Sequence, residues 1–134
     1  MVEVLIVMGI FIILTAMSVF FDMSFYRGTS FNSDYDMFVG VLQRTRSRAI
    51  NNINESRHGL RIGTEKYILF RVDPSGTEYV NEEISRNPST DFNGFSEVIF
   101  YRLSGSSNFS GNIILTDGAK TATVSINDEG QIDW

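Results

Sequence analysis

No charged residue interrupts the chain from Val4 to Phe21, an apolar run of eighteen residues directly behind one carboxylate, Glu3. As a helix the run measures roughly 27 Å at about 1.5 Å per residue, close to the hydrocarbon thickness of a bilayer. Its apolar positions surround the helix instead of forming one stripe, a pattern that calls for lipid or the interior of an assembly. A carboxylate at the edge of such a segment is costly unless it is neutralised, paired or held in the interface. Glu3 therefore reads either as a helix-start residue in the headgroup region, favoured by the positive end of the helix dipole, or as a group with a role in the assembled state.

Asp22 closes the run. The following stretch, 23–32, mixes aromatic residues with Gly28, Thr29 and Ser30, which lower helical propensity and predict an interruption. The aromatic residues Phe20, Phe21, Phe25, Tyr26 and Phe31 around this point are expected to pack between subunits. Ser33 or Asp34 then serves as N-cap for an amphipathic helix over 33–54. Its apolar stripe is Met37, Phe38, Val41, Leu42, Thr45, Ala49, Ile50 and Ile53, with Gly40 a weak point costing about 1 kcal/mol relative to alanine.

After Asn54 the period becomes that of strands. His58–Ile62 and Tyr67–Val72 flank a turn at 63–66, and Asp73–Pro74–Ser75–Gly76 is a second turn. A short strand fits Thr77–Ile84, the polar segment Ser85–Phe95 reads as a loop, Glu97–Leu103 as a strand and Ser104–Gly111 as another loop. Asn112–Thr116 and Lys120–Ile126 flank Asp117–Gly118, a strong hairpin signal. Asn127–Asp128–Glu129–Gly130 turns the chain into a last strand at Gln131–Trp134. The class is α+β: a long N-terminal hydrophobic helix that continues into an amphipathic helix packed on an antiparallel β-sheet. The chain divides into a membrane or filament-core helix at 1–22, the interruption at 23–32, and a globular head at 33–134 with its helix at 33–54 and its sheet at 58–134.

With 134 residues there is room for one modest domain beyond the hydrophobic helix, and without cysteine there is neither a disulfide framework nor thiol catalysis. The apolar run follows no basic leader, which reads as a trimmed, mature chain. Arg44, Arg46 and Arg48 fall on the helix face away from the stripe, with Arg57 and Arg61 further on. A net charge of -5 opposes a nucleic-acid partner, so this face reads as solvated or as a contact for acidic neighbours. The single histidine, His58, at a strand start reads as structural. Asp34 and Asp36 with Asp22, or Asp128 with Glu129, lack the ligand spacing of a calcium loop. No metal, cofactor or catalytic residue is expected, and the role is structural, not enzymatic.

The string Glu3–Val4–Leu5–Ile6–Val7–Met8–Gly9–Ile10 resembles the N-terminal signature of type IV pilins and type II secretion pseudopilins. The segment Leu42–Ile50 is similar to the helix of H-type minor pseudopilins and related minor pilins. Ile113–Gly118 and Val124–Ile132 are similar to the closing hairpin of that subgroup. Family members carry four residues before the glutamate, whereas two precede Glu3 here. The resemblance implies a pilin-like fold and a structural subunit of a type IV pilus-like filament. In it, Glu3 would pair with the N-terminal amine of a neighbouring subunit. Val4, Leu5, Ile6, Val7, Met8, Ile10, Phe11, Ile12, Ile13 and Leu14 would pack in the filament core. The implied partners are further copies in a helical homopolymer, other pilins, an inner-membrane assembly platform, and the lipid bilayer before assembly. The implied location is the bacterial inner membrane, then an extracellular or periplasmic filament. Alternatives are a minor pseudopilin at the tip of a secretion pseudopilus, a DNA-uptake pilin using Arg44, Arg46 and Arg48, and a membrane-anchored binding domain that does not polymerise.

Overall fold

The computed structural model describes the backbone of residues 2–134 and the side chains of 2–17 and 29–134. One helix, α1 (Val2–Ile50), runs for 49 residues, roughly 73 Å at about 1.5 Å per residue. It passes through 23–32 without the interruption predicted there. Glycine costs a helix about 1 kcal/mol relative to alanine, whereas ending the helix and starting another repeats a nucleation of order 10⁻³, about 4 kcal/mol. Continuing is the cheaper course. Neither Ser33 nor Asp34 is therefore an N-cap. Both lie inside α1, and Asp34 is buried, with its Oδ1 accepting a hydrogen bond from the Tyr67 hydroxyl at 3.0 Å.

The helix ends four residues before the expected boundary of 54. Asn52 takes a left-handed conformation (φ 50°), and the Ala49 carbonyl accepts from the amides of Asn52 and Leu103, each at 3.0 Å. The last turn is thus satisfied partly by its own chain reversal and partly by a distant loop. A 3-10 turn, Ile53–Glu55, follows.

Eight strands follow: β1 (Arg57–Ile62), β2 (Lys66–Val72), β3 (Glu78–Ser85), β4 (Asp91–Asn93), β5 (Glu97–Phe100), β6 (Gly111–Thr116), β7 (Thr121–Ile126) and β8 (Ile132–Asp133). All pairs are antiparallel, but they form two four-stranded sheets, ordered β3-β2-β1-β5 and β4-β6-β7-β8. The single expected sheet is corrected to two, and the α+β class stands. The break falls between β5, which pairs back to β1, and β6, which pairs with β7 and with β4, a strand inside the segment read as a loop, where Phe92 pairs with Leu115. Three residues among Ser, Pro, Asn and Gly carry no local period, so this strand is defined only by its partner. At Asp117–Gly118 the hairpin forms as expected, with a wider loop: Asp117 accepts from the Ala119 and Lys120 amides at 2.9 and 2.7 Å.

Phe38 ties the three layers together. Fully buried on α1, its ring lies 5.8 Å from Tyr67 of β2, 5.0 Å edge-on from Phe92 of β4 and 6.3 Å from Phe95. Val41, Leu42, Thr45 and Ala49 continue the buried stripe, whereas Met37, Ile50 and Ile53 stay exposed. Leu60, Leu69, Val98 and Phe100 from one sheet and Ile113, Leu115, Val124 and Ile126 from the other complete one continuous core.

His58 sits in this core at 2% exposure, its Nε2 2.9 Å from the Ile53 carbonyl, which accepts from it. Burial holds its pKa below the ordinary 6.5, with Arg48 and Arg71 adding to the effect and the Ile53 hydrogen bond opposing it. The unfolded chain therefore binds this proton more tightly than the folded one. The His58 contribution is fully present above pH 6.5 and is lost as the pH falls from there through the folded value. In detergent solution the urea midpoint of the wild-type chain is expected to drop over this interval more than that of His58→Gln. Parallel profiles for the two would refute the assignment.

Candidate assembly surface

The N-terminal third of α1 leaves its large apolar side chains exposed. From Val2 to Met17 twelve large apolar side chains are 52% to 71% exposed, while the first buried side chain among the described residues of α1 is Phe31. Five of the twelve, Val4 to Met8, are consecutive, so at 100° per residue they point to every side of the helix. Thr15, the hydroxyl in this stretch, is satisfied within the helix by the Phe11 and Ile12 carbonyls at 2.8 and 3.0 Å. Beyond its first turn, which carries Glu3, the segment therefore presents side chains that avoid water on a hydrogen-bonded helical backbone. Soluble monomers rarely expose contiguous apolar patches beyond a few hundred Å², and covering the twelve side chains is worth on the order of 10–20 kcal/mol.

Among the described residues no helix is long and apolar enough to cross a membrane. The side chains of Ser18 to Phe21, the end of the apolar run, lie outside the described residues, as do those of Asp22, Phe25 and Tyr26 and the whole of Met1. Glu3 lies in the first turn of α1 and is exposed. The residues expected from the sequence to pack, Val4, Leu5, Ile6, Val7, Met8, Ile10, Phe11, Ile12, Ile13 and Leu14, are all exposed and follow it along one helical rod.

The arginines proposed from sequence as a nucleic-acid contact are not brought to one surface. Arg44 Nη1 and Arg48 Nη2 both pair with Glu82 of β3, at 3.0 and 3.3 Å. Arg46 lies instead along an open groove of about 540 Å³ with Ile50, Ile132 and Trp134. Arg61 is taken up by Glu78 and Glu97 at 2.9 and 2.6 Å, and these hydrogen bonds hold its pKa above the usual arginine range. To neutralise a phosphate, Arg44, Arg48 and Arg61 would each have to give up a carboxylate partner, which lowers what they could gain from a nucleic acid. Glu82 was invisible as their partner in the sequence because it lies 38 and 34 positions away, across a helix-to-sheet contact.

A second feature that the sequence reading passed over lies where α1 enters the head. An open cavity of about 320 Å³ is bordered by Ser30, Ser33, Asp34 and Met37 of α1 and by Ser85 and Asn87. Among the described residues no three acidic, histidine or cysteine side chains are grouped to hold a metal ion.

No protein-family model, curated protein or solved structure matches this chain.

Proposed function

We propose that this chain is the structural subunit of a type IV pilus-like filament, polymerising through its N-terminal helix. The observation that carries the reading is the rod of twelve exposed apolar side chains between Val2 and Met17, with Glu3 as its one charge, continuous with a helix that is anchored in a folded head. A rod apolar on all faces is stable only when all faces are covered, which a helical bundle of identical rods achieves. Before assembly the same rod is held by the inner-membrane bilayer, and the head stays outside. Lipid supplies most of the same apolar transfer energy, so that term alone does not select the filament. Selection falls to side-chain packing, to the pairing of Glu3 with a neighbour's N-terminal amine, and to an assembly platform that extracts the subunit. The pairing offsets the burial of both charges, and removing one partner leaves the other buried and unpaired.

The test compares wild-type and Glu3→Ala chains in cells, measuring the chain by quantitative mass spectrometry in sheared filaments and in the membrane fraction. The expected result is a loss of about tenfold or more from the filament fraction, with membrane association unchanged. A wild-type chain confined to the membrane fraction would instead identify an anchored domain and reject the polymer. A trace of wild-type chain beside another, abundant pilin would identify a minor tip subunit. Equal filament yields from wild type and variant would remove Glu3 from the mechanism.

A further inference from the structure

We infer that the groove between the last turns of α1 and β8 is a binding site for a small organic carboxylate with an apolar body, with Arg46 as its cationic anchor. None of the described residues that border this groove is acidic, although the chain carries a net charge of -5. Ile132 and Trp134 border it, whereas Asp133 between them does not, as the alternation of a strand requires. The site lies at the far end of α1 from the rod at Val2 to Met17, so it stands or falls apart from the filament.

Arg46 differs from its neighbours on the helix. At 100° per residue it lies on the opposite flank from both Arg44 and Arg48, which end on Glu82. Among the described residues Arg46 has no ion pair and no hydrogen bond, the α-carboxylate of Trp134 included. Its Nε is buried without an acceptor and out of a ligand's reach, whereas Nη1 and Nη2 keep contact with solvent. A Cβ added to Gly105 would stand 3.6 Å from Arg46 Cγ, so the stem packs along the 101–106 loop. The guanidinium is thus held at its base and presents the open end of its fork to the groove.

The lining defines the ligand class. Nη1 and Nη2 match the two oxygens of one carboxylate, the pairing in which arginine is strongest. Gln43 and Gln131 offer Arg46 only neutral acceptors, which bind a cation less tightly than a carboxylate does, while their amide N–H groups can donate to the same carboxylate. Ile50 and Trp134, 40% and 64% exposed, form an apolar wall with Ile132 that the body of the ligand removes from water. The groove measures about 540 Å³, within the range of about 300–1,000 Å³ usual for small-molecule sites. Inorganic phosphate leaves the apolar wall bare and brings further charge with no second cation among the described residues of the lining. A cation is repelled by Arg46 and meets no side-chain carboxylate there.

The test titrates the full chain in non-ionic detergent with sodium benzoate and follows the emission of Trp134, the single tryptophan of the chain, which borders the groove. Benzamide serves as the neutral analogue, acetate as a carboxylate without the apolar body, and phosphate as the inorganic anion. Benzoate is expected to give a saturable change, with each of the other three weaker by about tenfold or more. Arg46→Gln, measured in the same micelles and checked for folding by its urea midpoint, is expected to weaken benzoate by at least about tenfold. Arg46→Lys keeps the charge but loses the fork, and is expected to weaken it by about threefold or more even if Arg46→Gln fails to fold. Arg44→Gln removes an equal charge from the other flank and is expected to bind as the wild type does. No saturable benzoate signal from the wild type, equal binding of benzamide, acetate or phosphate, undiminished binding by Arg46→Gln or Arg46→Lys, or an equal loss in Arg44→Gln would each overturn the proposal.

Discussion

Ile10→Arg is expected to remove the chain from filaments altogether while leaving its head folded. Ile10 is exposed on the apolar rod, in the middle of the run of side chains that must be covered. In a helical homopolymer every subunit brings the same residue to the same contact, so a single substitution places a cation in each interface. An unpaired charge in a covered apolar contact costs about 3–5 kcal/mol, which weakens each association step by a hundredfold or more. Ile10 belongs to none of the contacts that build the core, so the thermal midpoint of the head is expected to be unchanged. Ile10→Leu keeps the volume and apolarity and is expected to assemble as the wild type does. Negative-stain microscopy and pelleting of sheared material measure both variants. Wild-type filament yield from Ile10→Arg would show that the rod is not buried in the polymer and would sink the proposed assembly.

Gly130→Ala is expected to destabilise the head by at least about 3 kcal/mol, enough to leave a large fraction of a small domain unfolded. Gly130 closes the turn after β7 at φ +73°, where a side chain is strained by about 1–2 kcal/mol. The larger part is steric, because an added Cβ would land on the backbone carbonyl oxygen of Gly105. Gly105 cannot retreat. It stands at φ +67°, its amide bonds to the Tyr101 carbonyl at 2.9 Å, and Ile50 of α1 packs against its other side. The turn also holds the preceding loop through Ser107, whose amide donates to the Asp128 carbonyl at 3.1 Å. Helix end, 101–106 loop and 127–130 turn are thus stacked through two glycines, and a methyl group in the stack must separate all three. Urea denaturation of Gly130→Ala and of the exposed control Gly40→Ala would check this. The control adds a methyl into open space on a helix and is expected to be neutral or stabilising. Equal midpoints for Gly130→Ala and the wild type would show that the stack gives way without cost.

The two predictions draw on different depths of information. The apolar rod needs only a local count, because eighteen successive uncharged residues leave no face of a helix that water can occupy. The hairpin β6–β7 was legible for a similar reason: the Asp117–Gly118 turn signal lies between two runs that alternate, and both runs pair in register. The buried stripe on α1 followed from spacing as well, with Phe38, Val41, Leu42, Thr45 and Ala49 all inside. Local sequence thus determined that a long helix precedes an antiparallel β head and that its leading segment must be covered by something apolar.

The interruption at 23–32, the N-cap at Ser33 or Asp34 and the single sheet were not decided locally. Propensity prices each residue alone, whereas helix cooperativity charges for every restart, and α1 runs on through Gly28. With the helix continuous, Asp34 turns from a cap into a buried carboxylate facing Tyr67. The division into two sheets rests on β5 pairing back to β1 while β6 pairs with β7 and with β4, a strand whose only definition is that pairing. Arg44 and Arg48 became structural through Glu82, and Gly130 became indispensable through Gly105. For Asp34, Arg44, Arg48 and Gly130 the deciding partner lies at least 25 positions away, and for β4 it is set by a register that local composition does not encode. Period and charge along the chain determined what must be hidden; only the tertiary structure decided which carboxylate, carbonyl or ring each hidden group would meet, because contact energies belong to pairs that the fold alone brings together.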